Sequence, residues 1–210
     1  MRHVLDRGGV QRDEDVQIRE VLGLTVEVTR PACSDEIVER YGDKAVIART
    51  IDKFANGAAM PDRPFTYGER IYAHGGIDQF EWLVDRLRAK RETKSATIGL
   101  LVPGSQAANL PCLTTLDAKI RQDRLELQFF FRSQNIFGRQ YANLLALAKL
   151  QADLAAKCAV APGKLAGYVA SAHIYAFDVE VCHRILAGEL LEIQDRYYLQ
   201  GPKSIRTGAA

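Results

Sequence analysis

The 210-residue sequence predicts an α/β protein of the α+β type, a mixed sheet with helices packed on it. Three observations carry that expectation. Extended segments with alternating apolar residues read as strands, and segments with apolar residues three and four apart read as amphipathic helices. The two kinds mingle without a regular strand-helix-strand rhythm. No Gly-x-Gly-x-x-Gly follows a strand and no Walker loop occurs, so neither a dinucleotide nor a nucleoside-triphosphate site is supported.

Each element follows in order. Val21 to Thr29 is β-branched and alternates toward its end, which predicts a strand closed by Arg30-Pro31. Ser34 or Asp35 then caps one helix over Ile37 to Phe54, stopped by Asn56-Gly57. Residues 57–76 are punctuated by Gly, Pro and Asp and read as an ordered loop around Tyr67-Gly68-Glu69-Arg70. Ile77, Phe80, Val84 and Leu87 mark one helix face, and Ala96 to Val102 reads as a buried strand ended by Pro103-Gly104. Cys112, Thr114, Leu116, Ala118 and Ile120 are expected on one side of a strand, and Leu125, Leu127, Phe129 and Phe131 on one side of the next. Residues 121–124 turn between them. A long helix, Tyr141 to Lys157, stops before Ala161-Pro162-Gly163, and Leu165 to Phe177 is another strand. Asp178 caps a final helix with Val181, Cys182, Ile185 and Leu186 inward and Gly188 as its stop.

Length and composition predict a single domain over residues 1–210. With 47% hydrophobic and 26% charged residues, the chain buries enough apolar surface to order itself. A formal charge of +2 is too small for a surface that tracks nucleic-acid phosphates, while a small anionic substrate fits. No signal peptide or membrane span is expected, which places the chain in the cytoplasm. The four scattered cysteines lack Cys-x-x-Cys spacing and read as reduced thiols without a metal.

Alone, Leu110-Pro111-Cys112-Leu113 reads as a small buried hydrophobe in a strand. Its company changes the reading. Cys112 is followed by Phe131-Arg132-Ser133-Gln134-Asn135, by Asn143 at a helix start, and by Ser171-Ala172-His173-Ile174-Tyr175. In this order and spacing, with Arg132 and Asn143 eleven positions apart, the series resembles the thymidylate synthase family, most closely its shorter archaeal and phage-like members. The match runs from Arg19-Glu20-Val21-Leu22 through Tyr67-Gly68-Glu69-Arg70 and Ile77-Asp78-Gln79 to His173-Ile174-Tyr175.

The resemblance implies the family's mixed sheet and a homodimer. It also implies one-carbon transfer from 5,10-methylenetetrahydrofolate to carbon 5 of a pyrimidine nucleoside monophosphate, giving a methyl or a hydroxymethyl product. Carbon 5 is a poor nucleophile until a thiolate adds to carbon 6 and turns the ring into an enolate. Cys112 takes that role. Arg132 holds the substrate phosphate and helps ionise the thiol, whose ordinary pKa is about 8.5. Ser133 is a second phosphate ligand. Asn143 reads the base through an amide that both donates and accepts, and its local alternative is a helix cap. His173 and Tyr175 hydrogen-bond the sugar. Asparagine at position 143, where cytosine-specific hydroxymethylases often carry aspartate, favours uracil.

The departures fall in functional places. Asn135 stands where relatives carry a carboxylate paired with the folate pterin, and Arg139-Gln140-Tyr141-Ala142 replaces their Gly-x-Pro. Lys94, in Thr93-Lys94-Ser95-Ala96, is the nearest match to paired arginines that relatives extend to the partner's substrate phosphate. Arg7-Gly8-Gly9 is a candidate N-terminal phosphate loop, and Gly201-Pro202-Lys203-Ser204-Ile205-Arg206 lies where relatives close over their ligands. These changes keep an alternative open: a homologue that binds a nucleotide or a partner protein without turnover.

Overall fold

A computed structural model describes residues 1–57, 59–60, 65–107 and 110–189; the segment 201–206 lies outside them. The described chain runs α1 (Arg2–Arg7), β1 (Gly9–Asp13), β2 (Val16–Val28), α2 (Glu36–Tyr41), α3 (Lys44–Phe54), α4 (Tyr67–Tyr72) and α5 (Gln79–Ala89). It continues through β3 (Thr97–Gly99), β4 (Leu113–Arg121), β5 (Arg124–Phe131), β6 (Gln134–Asn135), α6 (Gln140–Lys157), β7 (Ala161–Tyr175), a 3-10 turn (Ala176–Asp178) and α7 (Val179–Leu186). The strands form one mixed seven-stranded sheet in the order β1-β2-β7-β5-β4-β3, with β6 also on β7. β7 runs parallel to β5 and β6 and antiparallel to β2. The mixed α+β architecture expected from the sequence is the one observed.

Local chemistry explains the boundaries. The single helix expected over 37–54 is two, because Asp43 starts a new one: its carboxylate accepts from the Ala45 and Val46 N–H groups. Within the expected loop, Thr66 caps α4 by accepting from Glu69 N. At the β4–β5 hairpin, Gln122 and Asp123 both take left-handed φ (50° and 54°), the geometry of a two-residue turn. β2 begins at Val16, earlier than the apolar run suggested, while the expected strand over 96–102 is regular only at Thr97–Gly99. Asp178 is the N-cap residue of α7, yet its side chain makes no cap hydrogen bond.

Helices α5 and α6 cover one face of the sheet, and Leu116, Leu127, Phe131, Leu165 and Val169 form the core beneath them. The alternation of buried residues then slips phase along a line across the strands. In β4 a bulge separates Leu113, opposite Phe131, from Thr115, opposite Phe130. Residues 132–133 interrupt the line of β5 before β6 continues along β7. In β7 the fully buried positions change from Leu165 and Val169 to Ala172 and Ile174, and in β2 Gly23 takes φ 78°. This slip corrects one expectation. Leu113 joins the buried face of Leu116, and Cys112 is displaced from it to a half-buried position just before β4.

The parallel β5–β7 contact leaves no space at Gly167, where a Cβ would lie 2.2 Å from the Phe129 carbonyl oxygen. Gly167→Ala is expected to cost about 3 kcal/mol, the upper range for overpacking, read as a lowered urea midpoint with an unchanged slope.

Candidate active site

The phase slip turns one end of the sheet into a site. At Cys112 the backbone carbonyl accepts from Arg132 N (2.8 Å). The Arg132 guanidinium donates from Nε to Pro111 O (3.1 Å) and from Nη2 to Leu110 O (2.8 Å), clamping the segment that leads into the cysteine. Ser133 Oγ lies 3.5 Å from His173 Nδ1. Across the sheet, Gly9 pairs with Glu20, Glu20 with His173, and His173 with Asn135, so one row of residues spans four strands. The Arg7-Gly8-Gly9 turn sits at the edge of this row.

His173 is 8% exposed, and burial lowers its pKa against the opposing pull of Asp13, Ser171 and Glu20. The ring is therefore neutral at pH 7. Its centroid is 5.3 Å from that of Tyr175, two residues on along the same strand face. Tyr175 Oη donates to Asp13 Oδ2 (2.9 Å). Burial, Asp13, the Cys112 thiolate and Asp178, in that order of importance, hold the proton on this phenol and push its pKa up. The influence of Cys112 places the thiol within electrostatic reach of Tyr175.

The other cysteines differ in setting. Cys33 is exposed on a loop, and burial pushes the Cys158 thiol up and that of Cys182 to about 12. Cys112 alone is half-buried beside an arginine. Of the remaining predicted residues, Asn135 turns its Oδ1 to accept from Gly138 N (2.7 Å), a local turn that leaves its amide N–H donors without a partner among the described residues. Asn143 lies in α6 one turn after the N-cap, which is Arg139, so its side chain does not cap; the amide has no hydrogen-bond partner among the described residues. Lys94 is not brought to this group. It neighbours Thr93, whose carbonyl accepts from Arg121, at the far end of β4, roughly 27 Å of strand away from Cys112.

Four residues not predicted as site residues belong to the neighbourhood. Tyr67 Oη accepts from Leu113 N (3.2 Å), one residue after Cys112. Glu20 accepts from Ser171 Oγ. Asp13 holds Tyr175, and Asp178, 4% exposed, has its carboxyl pushed up to about 7 by burial, with Arg139 pulling the other way. The Tyr67 motif was visible in sequence. Asp13 carried no local signal, because strand pairing brings it in, and Asp178 was legible only as a helix cap.

A half-buried thiol beside an arginine, at the same end of the sheet as a serine, a neutral histidine and a tyrosine, is an arrangement that can carry nucleophilic-cysteine chemistry on a mixed α/β sheet. The family model for thymidylate synthase matches residues 35–195. The chain is 33% identical over 193 residues to a "putative thymidylate synthase" of Methanococcoides burtonii, covering 88% of this chain and 87% of that one. It is 29% identical over 200 residues to one from Methanothermobacter thermautotrophicus, covering 87% and 90%. Against the thymidylate synthase of Enterobacteria phage T4 it is 29% identical over 129 residues, 60% of this chain and 45% of the phage protein. The chain belongs to the thymidylate synthase family. That membership supports a transferase that moves one-carbon units, with methylenetetrahydrofolate as the family's general co-substrate. Among the described residues, no helix is long and apolar enough to cross a membrane.

Proposed function

We propose that this chain, acting as one domain over residues 1–210 within a cytoplasmic homodimer, transfers a one-carbon unit to carbon 5 of a uracil nucleoside monophosphate. The observation that carries this reading is the convergence of Cys112, Arg132, Ser133, His173 and Tyr175 on one end of the sheet. The Cys112 thiolate adds to carbon 6, the ring electron pair moves to the carbonyl as an enolate, and carbon 5 becomes the nucleophile. Carbon 5 would take up the one-carbon unit and lose its proton, the folate nitrogen would leave with its electron pair, and the exocyclic carbon would then accept either hydride from the tetrahydrofolate, giving methyl, or water, giving hydroxymethyl, as the sulfur leaves carbon 6. Arg132 and Ser133 hold the phosphate, His173 and Tyr175 the sugar, and the unpartnered Asn143 amide suits the donor and acceptor edge of uracil.

Methylenetetrahydrofolate supplies the carbon at the oxidation level of formaldehyde. Asn135, with its carbonyl engaged by Gly138, offers a co-substrate amide N–H donors and no carboxylate, so its contact is with a carbonyl or ring-nitrogen acceptor. The homodimer is supported by the sheet face that the helices leave open, where Leu22 is 73% exposed and Phe130 and Tyr168 stack at 5.4 Å. Lys94, remote from the site of its own subunit, would then serve the phosphate of its partner.

The test is mass spectrometry of products from the mono- and deoxymonophosphates of uridine and cytidine, each with methylenetetrahydrofolate. A gain of a methyl or hydroxymethyl group on a uracil nucleotide is the expected result and identifies which product forms. No gain on any of the four, with nucleotide binding intact, would make the chain a non-catalytic homologue.

A further inference from the structure

We infer that Asp13 is a positioning residue that commits the Tyr175 hydroxyl to accepting, so that this part of the site takes only a ligand group that donates, namely a sugar hydroxyl. The inference deepens the proposed function and rests on the nucleotide reading of the site.

A phenol has one proton and two acceptor lone pairs. Here the proton is already given: Tyr175 Oη donates to Asp13 Oδ2 at 2.9 Å. Asp13 reaches it from another part of the chain, because β1 ends at Asp13, opposite Val16, and the β1–β2 hairpin tip lies over the end of β7 where Ile18 pairs with Tyr175. The groups facing the phenol all favour this polarity. Asp13, the Cys112 thiolate and Asp178 are negative when ionised and hold the proton on oxygen, while His173 is neutral and contacts the ring edge. The flat face of Tyr175 is stacked on Phe177, centroids 5.2 Å apart, which favours the ring orientation that points Oη at Asp13.

With its one proton given to Asp13, Tyr175 Oη can receive a hydrogen bond from a ligand but not donate one. A sugar hydroxyl satisfies it. A phosphate oxygen, a base carbonyl or a fluorine does not. Asp13 is exposed and its Oδ1 has no partner among the described residues, so a second hydroxyl on the same sugar would meet a second acceptor. No local pattern in the sequence links Asp13 to Tyr175, since 162 positions separate them.

The test compares binding of 2′-deoxyuridine monophosphate with that of its 3′-deoxy-3′-fluoro analogue, equal in size but without the donor, by calorimetry on the full chain. The wild type is expected to prefer the hydroxyl by about tenfold, the worth of one good hydrogen bond. In Asp13→Asn the side-chain amide can donate to Oη and release the phenol proton toward the ligand, so the preference falls to within about twofold of unity. Asp13→Glu, which keeps an acceptor, restores most of it, and Tyr175→Phe lowers it to the same value with or without Asp13→Asn. The readout is a ratio between two ligands on one protein, and the Asp13→Glu variant separates loss of the acceptor from a change in the hairpin. A tenfold preference that survives Asp13→Asn overturns the inference and leaves the nucleotide reading standing. Failure of the wild type to bind either nucleotide overturns both.

Discussion

Cys112→Ser is expected to abolish product formation, and with it the release of tritium from carbon 5 of a labelled pyrimidine nucleotide. A serine hydroxyl at neutral pH is almost entirely protonated and far less nucleophilic than a thiolate, so addition to carbon 6 loses its nucleophile. The drop should be at least a thousandfold, corresponding to about 4 kcal/mol or more of transition-state stabilisation. Nucleotide binding should persist, because Arg132, Ser133, His173 and Tyr175 are untouched. The exposed Cys33 provides the control: Cys33→Ser should turn over as the wild type does. Tritium release by Cys112→Ser at more than a few per cent of the wild-type rate would rule out the sulfur as the attacking atom.

The second large effect concerns stability and its dependence on pH. Asp178 is 4% exposed, and burial raises its carboxyl from an ordinary 3.8 to about 7, with Arg139 opposing. In the unfolded chain the group loses its proton near the ordinary value, while in the folded chain it keeps the proton until about pH 7. Between these limits the folded state binds more protons than the unfolded state, so stability falls as pH rises through the window and levels off above it. The full contribution is about 4 kcal/mol. Asp178→Asn, nearly isosteric and never charged, removes it. The variant should match the wild type near pH 4 and exceed it by up to that amount at pH 8, measured by urea unfolding across the range. A difference between the two proteins that stays flat with pH would show that Asp178 is not the responsible carboxyl.

The limits of the sequence are instructive at particular positions. Alternation correctly placed Leu125, Leu127, Phe129 and Phe131 on one buried face, because a strand without interruption keeps its period of two. The same rule failed for Cys112, since it assumes that no residue is inserted, and the bulge between Leu113 and Thr115 inserts one. Asp43 divided a helix that apolar spacing had joined, because its carboxylate can cap as well as sit mid-helix. Within the site, the residues that the family motif names were legible from their order. Asp13 was not, and Glu20, though inside a matching stretch, showed no partner: their contacts arrive through β1–β2 and β2–β7 pairing, and a pairing register is a long-range property that no short window contains.

The phase slip also bears on how this protein tolerates change. Along β7, Leu165 and Val169 are locked into the hydrophobic interior, while His173 and Tyr175, a few positions later on the same strand, are the residues proposed to meet the nucleotide. One strand thus carries two sets of selective demands, separated by a break in its own pleat. Drift in the outer half can alter what is recognised while the inner half keeps the chain folded. Grafting the outer segments of a relative, taken together from β4, β6 and β7, is a rational way to exchange specificity without rebuilding the scaffold.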